Sequence, residues 1–222
     1  MAVTQVIIFD LDGTLVDTAG DLAFAVNEML SGRGLGPLPF AMVVSLVGEG
    51  ARRLVERALL ASGERDAAQI EPALRDFLAI YGANLTRSTQ AYPGVAETLD
   101  RLAGDGYRLA VCTNKPEAHS RVILERLGLI DRFKTVVGGD TLPGVRKPDP
   151  RMLAPIFDAL SITADAAVFV GDSITDVTLA RRAGMAVIVR AGGYSTLPAA
   201  DLGADAVIDS WTQLPDAIRR LP

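Results

Sequence analysis

The sequence is poor in the side chains that most often build metal centres and covalent catalytic sites. Cys112 is the only cysteine and His119 the only histidine. An internal disulfide, a cysteine-rich zinc or iron–sulfur site and a site with several histidines are therefore excluded. Lysine is also scarce, since only Lys115, Lys134 and Lys147 are present. We expect Cys112 to be a packed core thiol and His119 a surface or helix residue.

Long apolar runs are missing as well. No stretch approaches the roughly 20 apolar residues that a membrane-spanning helix needs, and the first residues lack the basic and apolar regions of a signal peptide. A net charge of −5 without a basic stripe argues against nucleic acid as a partner. We therefore expect a cytoplasmic protein, monomeric or homodimeric, that acts on a small molecule.

Short apolar segments alternate with helical patterns along much of the chain. The clearest is 6–9, which reads as a strand buried on both faces and runs directly into Asp10. Alternation of this kind predicts an α/β fold with a doubly wound parallel sheet and a Rossmann-like core. Further strands are predicted at 107–112, 135–137, 166–170, 186–189 and 206–208. Between Thr18 and Tyr92 no strand is expected, and four helical segments predict an all-helical insert at 21–30, 40–47, 51–61 and 67–85.

Polar side chains follow the predicted strands at the points where they end. Ligands of such sheets bind at the carboxyl ends of the strands, so we expect these side chains to lie together. They are Asp10, Asp12, Thr113, Asn114 and Asp172, with Lys147 in a nearby loop.

These residue types suit metal-assisted chemistry on a phosphate. Asp10 and Asp172 could coordinate one Mg²⁺, which prefers oxygen ligands. Lys147 and Thr113 offer an ammonium and a hydroxyl to phosphate oxygens. In the absence of a usable cysteine or histidine pair, a carboxylate is the strongest candidate nucleophile. Asp12 could then act as acid towards the leaving oxygen and as base towards water.

The chain resembles the haloacid dehalogenase-like phosphohydrolases over nearly its full length, because it carries four of their motifs in the order in which the family has them. Such a set is far more specific than any one of its members. The motifs are Asp10-Leu11-Asp12-Gly13-Thr14-Leu15, Thr113-Asn114, Lys147-Pro148 and Gly171-Asp172-Ser173-Ile174-Thr175-Asp176.

The resemblance implies roles for these residues. Asp10 would be the nucleophile that forms an aspartyl-phosphate, and Asp12 the general acid and base. Mg²⁺ would be held by Asp10, the backbone carbonyl of Asp12, and Asp172. The phosphate would be bound by Thr113, the Asn114 backbone and Lys147. The supporting residues would be Thr14, Ser173 and Asp176.

The resemblance also implies two domains, a core of residues 1–16 and 91–222 and a helical cap of residues 17–90. The cap segment 47–59 is similar to that of bacterial phosphoglycolate phosphatases. Because 2-phosphoglycolate carries a carboxylate beside its phosphate, the cap should supply a donor or a cation. The candidates are Gly48, Glu49, Gly50 and Arg53, with Arg52 beside them; alternatively, the loop only joins two helices and both arginines are solvated.

Other chemistries of the family fit less well. The presence of Asp12 disfavours a haloalkanoate dehalogenase, and the absence of any lysine before Lys115 removes the Schiff base of phosphonoacetaldehyde hydrolases. The predicted cap also lacks the histidine and lysine usual in hexose-phosphate mutases. Hydrolysis of 2-phosphoglycolate is therefore the leading prediction. The same reaction on a sugar phosphate or pyrophosphate is the alternative, ahead of a phosphomutase or a non-catalytic binding protein.

Overall fold

A computed structural model describes residues 4–221 of the chain. The strands are β1 (Val6–Phe9), β2 (Val16–Asp17), β3 (Gln90–Ala91), β4 (Arg108–Cys112), β5 (Phe133–Val137), β6 (Ala167–Gly171), β7 (Ala186–Arg190) and β8 (Ala206–Ile208). Six of them form one sheet in the order β5-β4-β1-β6-β7-β8, and every neighbouring pair is parallel. The predicted parallel α/β sheet is confirmed.

Nine α-helices accompany the strands within residues 4–221. They are α1 (Ala19–Ser31), α2 (Phe40–Ser45), α3 (Ala51–Ala61), α4 (Ile70–Ala83), α5 (Val95–Gly104), α6 (Glu117–Arg126), α7 (Ala154–Leu160), α8 (Ile174–Ala183) and α9 (Leu214–Arg219). Three predicted helices begin differently, because 3₁₀ turns precede α4, α7 and α9. None of the described helices is both long and apolar enough to cross a membrane.

The central strand β1 is apolar throughout because helices cover both faces of the sheet. Ile7 and Phe9 pack into one apolar cluster with side chains of α5, α6 and α9. Val6 and Ile8 pack into the opposite cluster with side chains of α7 and α8. Alternate residues of the strand therefore enter different halves of the core.

Helices α1 to α4 follow one another between β2 and β3, and their buried side chains continue the cluster that contains Ile7. The expectation of no strand between Thr18 and Tyr92 is wrong at its end, because β3 pairs antiparallel with β2. A strand of two residues is too short to show an alternating pattern. The two-stranded ribbon of β2 and β3 lies where the chain enters and leaves the four helices. The predicted division into a core and a cap of residues 17–90 stays a prediction.

Candidate active site

The carboxyl ends of three adjacent strands bring together the residues singled out in the sequence. Asp10 follows β1, Thr113 follows β4 on one side, and Asp172 follows β6 on the other. All three side chains are buried. The parallel register of the sheet explains this, since each strand delivers its next residue to the same edge.

A group of three buried carboxylates lies at this edge. Asp10, Asp172 and Asp176 each offer one oxygen, and these oxygens lie within 4.8 Å of one another. Lys147 Nζ lies 2.7 Å from Asp10 Oδ1 and 2.8 Å from Asp176 Oδ1. The ammonium thus contacts two of the three carboxylates. If all three carboxylates are ionised, the group with Lys147 carries two uncompensated negative charges.

Burial in this group disfavours ionisation. It raises the pKa of Asp10 to about 6, with Lys147 opposing the effect. Burial also raises the pKa of Asp172, and the neighbouring Asp176 and Asp10 carboxylates add to it. A hard divalent cation would balance the excess charge with the oxygen ligands it prefers. The donor set therefore fits such a metal.

The Asp172 carboxylate is fixed by donors on both oxygens. Thr14 Oγ1 donates to Oδ1 at 3.0 Å, and the Tyr194 backbone N–H donates to Oδ2 at 2.6 Å. Gly13, with φ of +79°, and Gly193 approach so closely that a Cβ on either would overlap this carboxylate. Thr14 was expected as a supporting residue, whereas this contact of Tyr194 was not specifically predicted.

Asp176 holds the start of α8 as well as Lys147. Its Oδ2 accepts from the Ser173 backbone N–H at 3.1 Å and from Ser173 Oγ at 2.7 Å, while Oδ1 accepts from Lys147. The fourth motif thus forms a capping box whose carboxylate also orients the lysine of the third motif.

The Asp12 side chain is not part of the group of three carboxylates and has partners of its own. Its two oxygens accept hydrogen bonds from Lys115 Nζ at 2.8 and 2.9 Å, and Thr18 Oγ1 donates to it at 2.7 Å. Burial opposes the charge on Lys115, but the Asp12 carboxylate more than compensates and raises the pKa of Lys115. Asp12 was expected to hold the metal through its backbone carbonyl, and this expectation stays a prediction.

Asn114 connects the core to the loop between α2 and α3. Its side-chain amide donates to the Gly48 carbonyl at 3.0 Å and to the Lys147 carbonyl at 3.2 Å, and it accepts from the Lys147 backbone N–H at 2.8 Å. Gly50 packs against the Asn114 carbonyl. The helical insert therefore contacts the second motif directly.

A cleft opens between the strand ends and the inserted helices. Its floor includes Asp10, Asp12 and Thr113, and Leu54 and Phe77 are among the side chains that the helices contribute. The loop residues Gly48, Glu49 and Gly50 also line it, and their contact with substrate stays a prediction.

Arg53, by contrast, is not among the residues that line the cleft, and its guanidinium pairs with Glu56 at 2.7 Å on the exposed surface. Arg57, one turn further along α3, lines the cleft and pairs with Glu49. Arg52 pairs with Glu71.

Several residues of the cleft were not anticipated as site residues, and four of them have side chains that bear on its chemistry. Lys115 directly follows the second motif in the sequence. Tyr81 belongs to the buried face of α4, and His119, expected as a surface or helix residue, lies in α6. Tyr194 lies in the loop after β7, where a turn was expected and a minor role at the site was left open. The four are Lys115, Tyr81, His119 and Tyr194.

The fold and the buried acidic edge are those of an α/β protein with a candidate active site at the carboxyl ends of a parallel sheet. The family model described as haloacid dehalogenase-like hydrolase matches residues 7–190. The chain belongs to this family.

Relatives over nearly the full length carry a more specific name. A phosphoglycolate phosphatase of Rhodospirillum rubrum is 46% identical over 96% of this chain and 90% of that protein. One from Caulobacter vibrioides is 42% identical over 95% and 89%. The crystal structure of a predicted phosphoglycolate phosphatase from Haemophilus somnus superposes with a TM-score of 0.88 at 34% identity, covering 96% of this chain and 97% of that one.

Proposed function

We propose that the chain is a Mg²⁺-dependent phosphomonoester hydrolase whose substrate is 2-phosphoglycolate. The observation that carries the proposal is the Asp10 carboxylate, held beside Lys147 in a buried acidic group at the floor of a cleft. The names of the relatives support the choice of substrate.

Asp10 would attack the phosphorus atom, so that an Asp10–phosphorus bond forms as the ester bond to the leaving oxygen breaks. Lys147, the Thr113 hydroxyl and the Asn114 backbone N–H would hold the phosphoryl oxygens, where negative charge develops. The ester oxygen departs as glycolate after taking a proton from Asp12.

Water would release the second product. Asp12 would accept a proton from the water as its oxygen attacks phosphorus, and the bond from phosphorus to Asp10 would break to regenerate the carboxylate. Asp10, Asp172 and the Asp12 carbonyl would hold Mg²⁺, with Asp176, Ser173 and Thr14 in support. When bound, Mg²⁺ would neutralise charge on the transferring group.

The contact between the insert and the core affects how substrate and water reach the cleft. The hydrogen bond from Asn114 to the Gly48 carbonyl joins the core to the α2–α3 loop, which lines the cleft. We infer that residues 17–90 act as a cap that opens for substrate and closes to exclude water. The partner is a small phosphomonoester, and we retain the expectation of a cytoplasmic monomer or homodimer.

The proposal is tested by phosphate release from a panel of phosphomonoesters with Mg²⁺ and with EDTA. We expect kcat/KM for 2-phosphoglycolate to exceed that for sugar phosphates and pyrophosphate by about a hundredfold, or about 2.7 kcal/mol in transition-state binding. A flat profile would contradict the assigned substrate, and equal rates with EDTA would contradict the metal.

The nucleophile is tested separately with Asp10→Asn. Because the amide is a poor nucleophile, we expect kcat to fall by about a thousandfold or more. A thermal midpoint at or above that of the unaltered protein would show that the fold is intact. Substantial residual turnover would remove Asp10 from the role of nucleophile.

A further inference from the structure

Lys115 is a buried cation in the cleft for which the proposed phosphoryl chemistry has no use. Its side chain is 4% exposed, and its ammonium contacts both oxygens of Asp12 at 2.8 and 2.9 Å. The same ammonium lies 4.6 Å from the centre of the Tyr81 ring. A lysine this well buried is costly unless it is paired. Its contribution to the cleft is a positive charge at the end of β4, beside the general acid and base.

Tyr81 offers a second polar group in the same place, from the helical insert. Its ring is 2% exposed and stacks on Phe77 with the centroids 5.7 Å apart. Tyr81 is among the residues that line the cleft, and its buried hydroxyl has no hydrogen-bond partner within residues 4–221. A buried hydroxyl without a partner costs about 1–3 kcal/mol. This group is therefore satisfied when a ligand supplies an acceptor.

We propose that Lys115 and Tyr81 bind the carboxylate of the substrate and so determine the specificity of the enzyme. This proposal rests on the proposed function. An ammonium and a phenolic hydroxyl are both donors, and a carboxylate accepts from both. One donor comes from the core and the other from the insert. The pair therefore assembles only when the insert lies over the sheet edge.

The position of Asp12 explains how a short substrate reaches this pair. As general acid, Asp12 must come within hydrogen-bond distance of the leaving oxygen, about 2.6–3.2 Å. In 2-phosphoglycolate the carboxylate carbon is two bonds from that oxygen. Lys115 already touches Asp12, so the substrate carboxylate and the Lys115 ammonium are brought to neighbouring positions.

The arginines of the insert are weaker candidates for this role. Arg57 lines the cleft, but its side chain is 40% exposed and already pairs with Glu49. Arg53 is 58% exposed and pairs with Glu56. Exposed ion pairs contribute little because water competes for both charges. Lys115 acts where water is largely excluded.

The test measures binding instead of turnover, by calorimetry of the full-length protein with Mg²⁺. The two ligands are 3-phosphonopropionate, which is not hydrolysed and carries a carboxylate, and propylphosphonate, which has a methyl group in its place. We expect the unaltered protein to prefer the first by about thirtyfold, the range of a charge-assisted hydrogen bond.

Lys115→Met should reduce this preference to about threefold or less, and Tyr81→Phe should reduce it by about fivefold while keeping the ring contacts. The matched control is Lys134→Met, an exposed lysine on β5, which should leave the preference unchanged. Comparing the two ligands cancels any effect of Lys115 on phosphonate binding through Asp12.

A preference retained in Lys115→Met would overturn the proposal, as would an equal loss of affinity for both ligands, which would make Lys115 a positioning residue for Asp12. If Lys115→Met does not fold, Tyr81→Phe decides, and an unchanged preference overturns the proposal. Phosphate release from 2-phosphoglycolate is measured separately. Failure of that reaction with the preference intact would refute the proposed function but not the carboxylate site.

Discussion

Asp21 ties together the two chain segments that join the inserted helices to the sheet. It lies in the first turn of α1, is 1% exposed, and accepts hydrogen bonds from Ser88 and Thr89, the residues just before β3. Both residues donate through the backbone N–H and the hydroxyl, at 2.6–3.1 Å. Asp21→Ala removes every one of these bonds.

The expected loss of stability depends on which donors can bond to water once the Asp21 carboxylate is gone. Ser88 is exposed, so water replaces its bonds at little cost, whereas Thr89 is buried. Two buried donors left without a partner, at about 1.5 kcal/mol each, predict a loss of about 3 kcal/mol in the free energy of unfolding. For a chain of this size, the thermal midpoint should fall by about 6–12 °C.

The assay is urea unfolding of the unaltered protein, Asp21→Ala and Glu28→Ala at pH 7 and at pH 3. Glu28 is exposed on the same helix and serves as the matched control, with an expected change below about 0.5 kcal/mol. A loss at Asp21 within the range of the control would refute the reasoning.

The pH dependence gives this prediction a second readout. Burial would raise the pKa of Asp21, but the hydrogen bonds from Ser88 and Thr89 lower it overall. The unfolded chain then binds more protons between the two pKa values, so the contribution of Asp21 is complete above the unfolded pKa of about 3.9 and is lost as the pH falls through the folded value. The difference between the unaltered protein and Asp21→Ala should therefore shrink at pH 3, and a constant difference would contradict the assignment.

Two further predictions concern the contacts around Asp172 and the loop after β7. Gly193→Ala places a methyl group on the Asp172 carboxylate, so Mg²⁺-dependent phosphate release should fall by about a hundredfold. Gly104→Ala, where a Cβ meets open space, is the control, and equal activities would be the contrary result. Tyr194→Phe removes the acceptor of the buried Thr18 N–H, 2.6 Å away, and should lower the free energy of unfolding in urea by about 1–2 kcal/mol; no change would mean that water replaces the hydroxyl.

The contacts of Tyr194 join three parts of the site. Its backbone N–H fixes Asp172, while its hydroxyl donates to Asp17 at 2.7 Å and accepts from the Thr18 N–H. Thr18 Oγ1 in turn donates to Asp12. The entry of the chain into the inserted helices is therefore connected by hydrogen bonds to the carboxylates expected to carry out the chemistry.

Local pattern was sufficient to predict the sheet and the acidic edge. The apolar run 6–9 must be buried, and its end at Asp10 places a carboxylate where the sheet is open to ligands. The spacing of Leu54, Val55, Ala58 and Leu59 likewise predicted α3 with its observed bounds. These conclusions depend on near neighbours along the chain, whose periodicity is visible in the sequence.

Contacts between distant segments were decided by the tertiary structure alone. Lys115 and Asp12 are 103 residues apart, and Asp21 meets Thr89 across 68. Nothing in the local pattern of Tyr81 distinguishes a core tyrosine from one that faces a cleft, because both occupy the apolar stripe of a helix. Arg57 lines the cleft and Arg53 does not, although the two are only one turn apart on α3. The packing of whole elements decides such differences, since it depends on the shapes of every side chain between them.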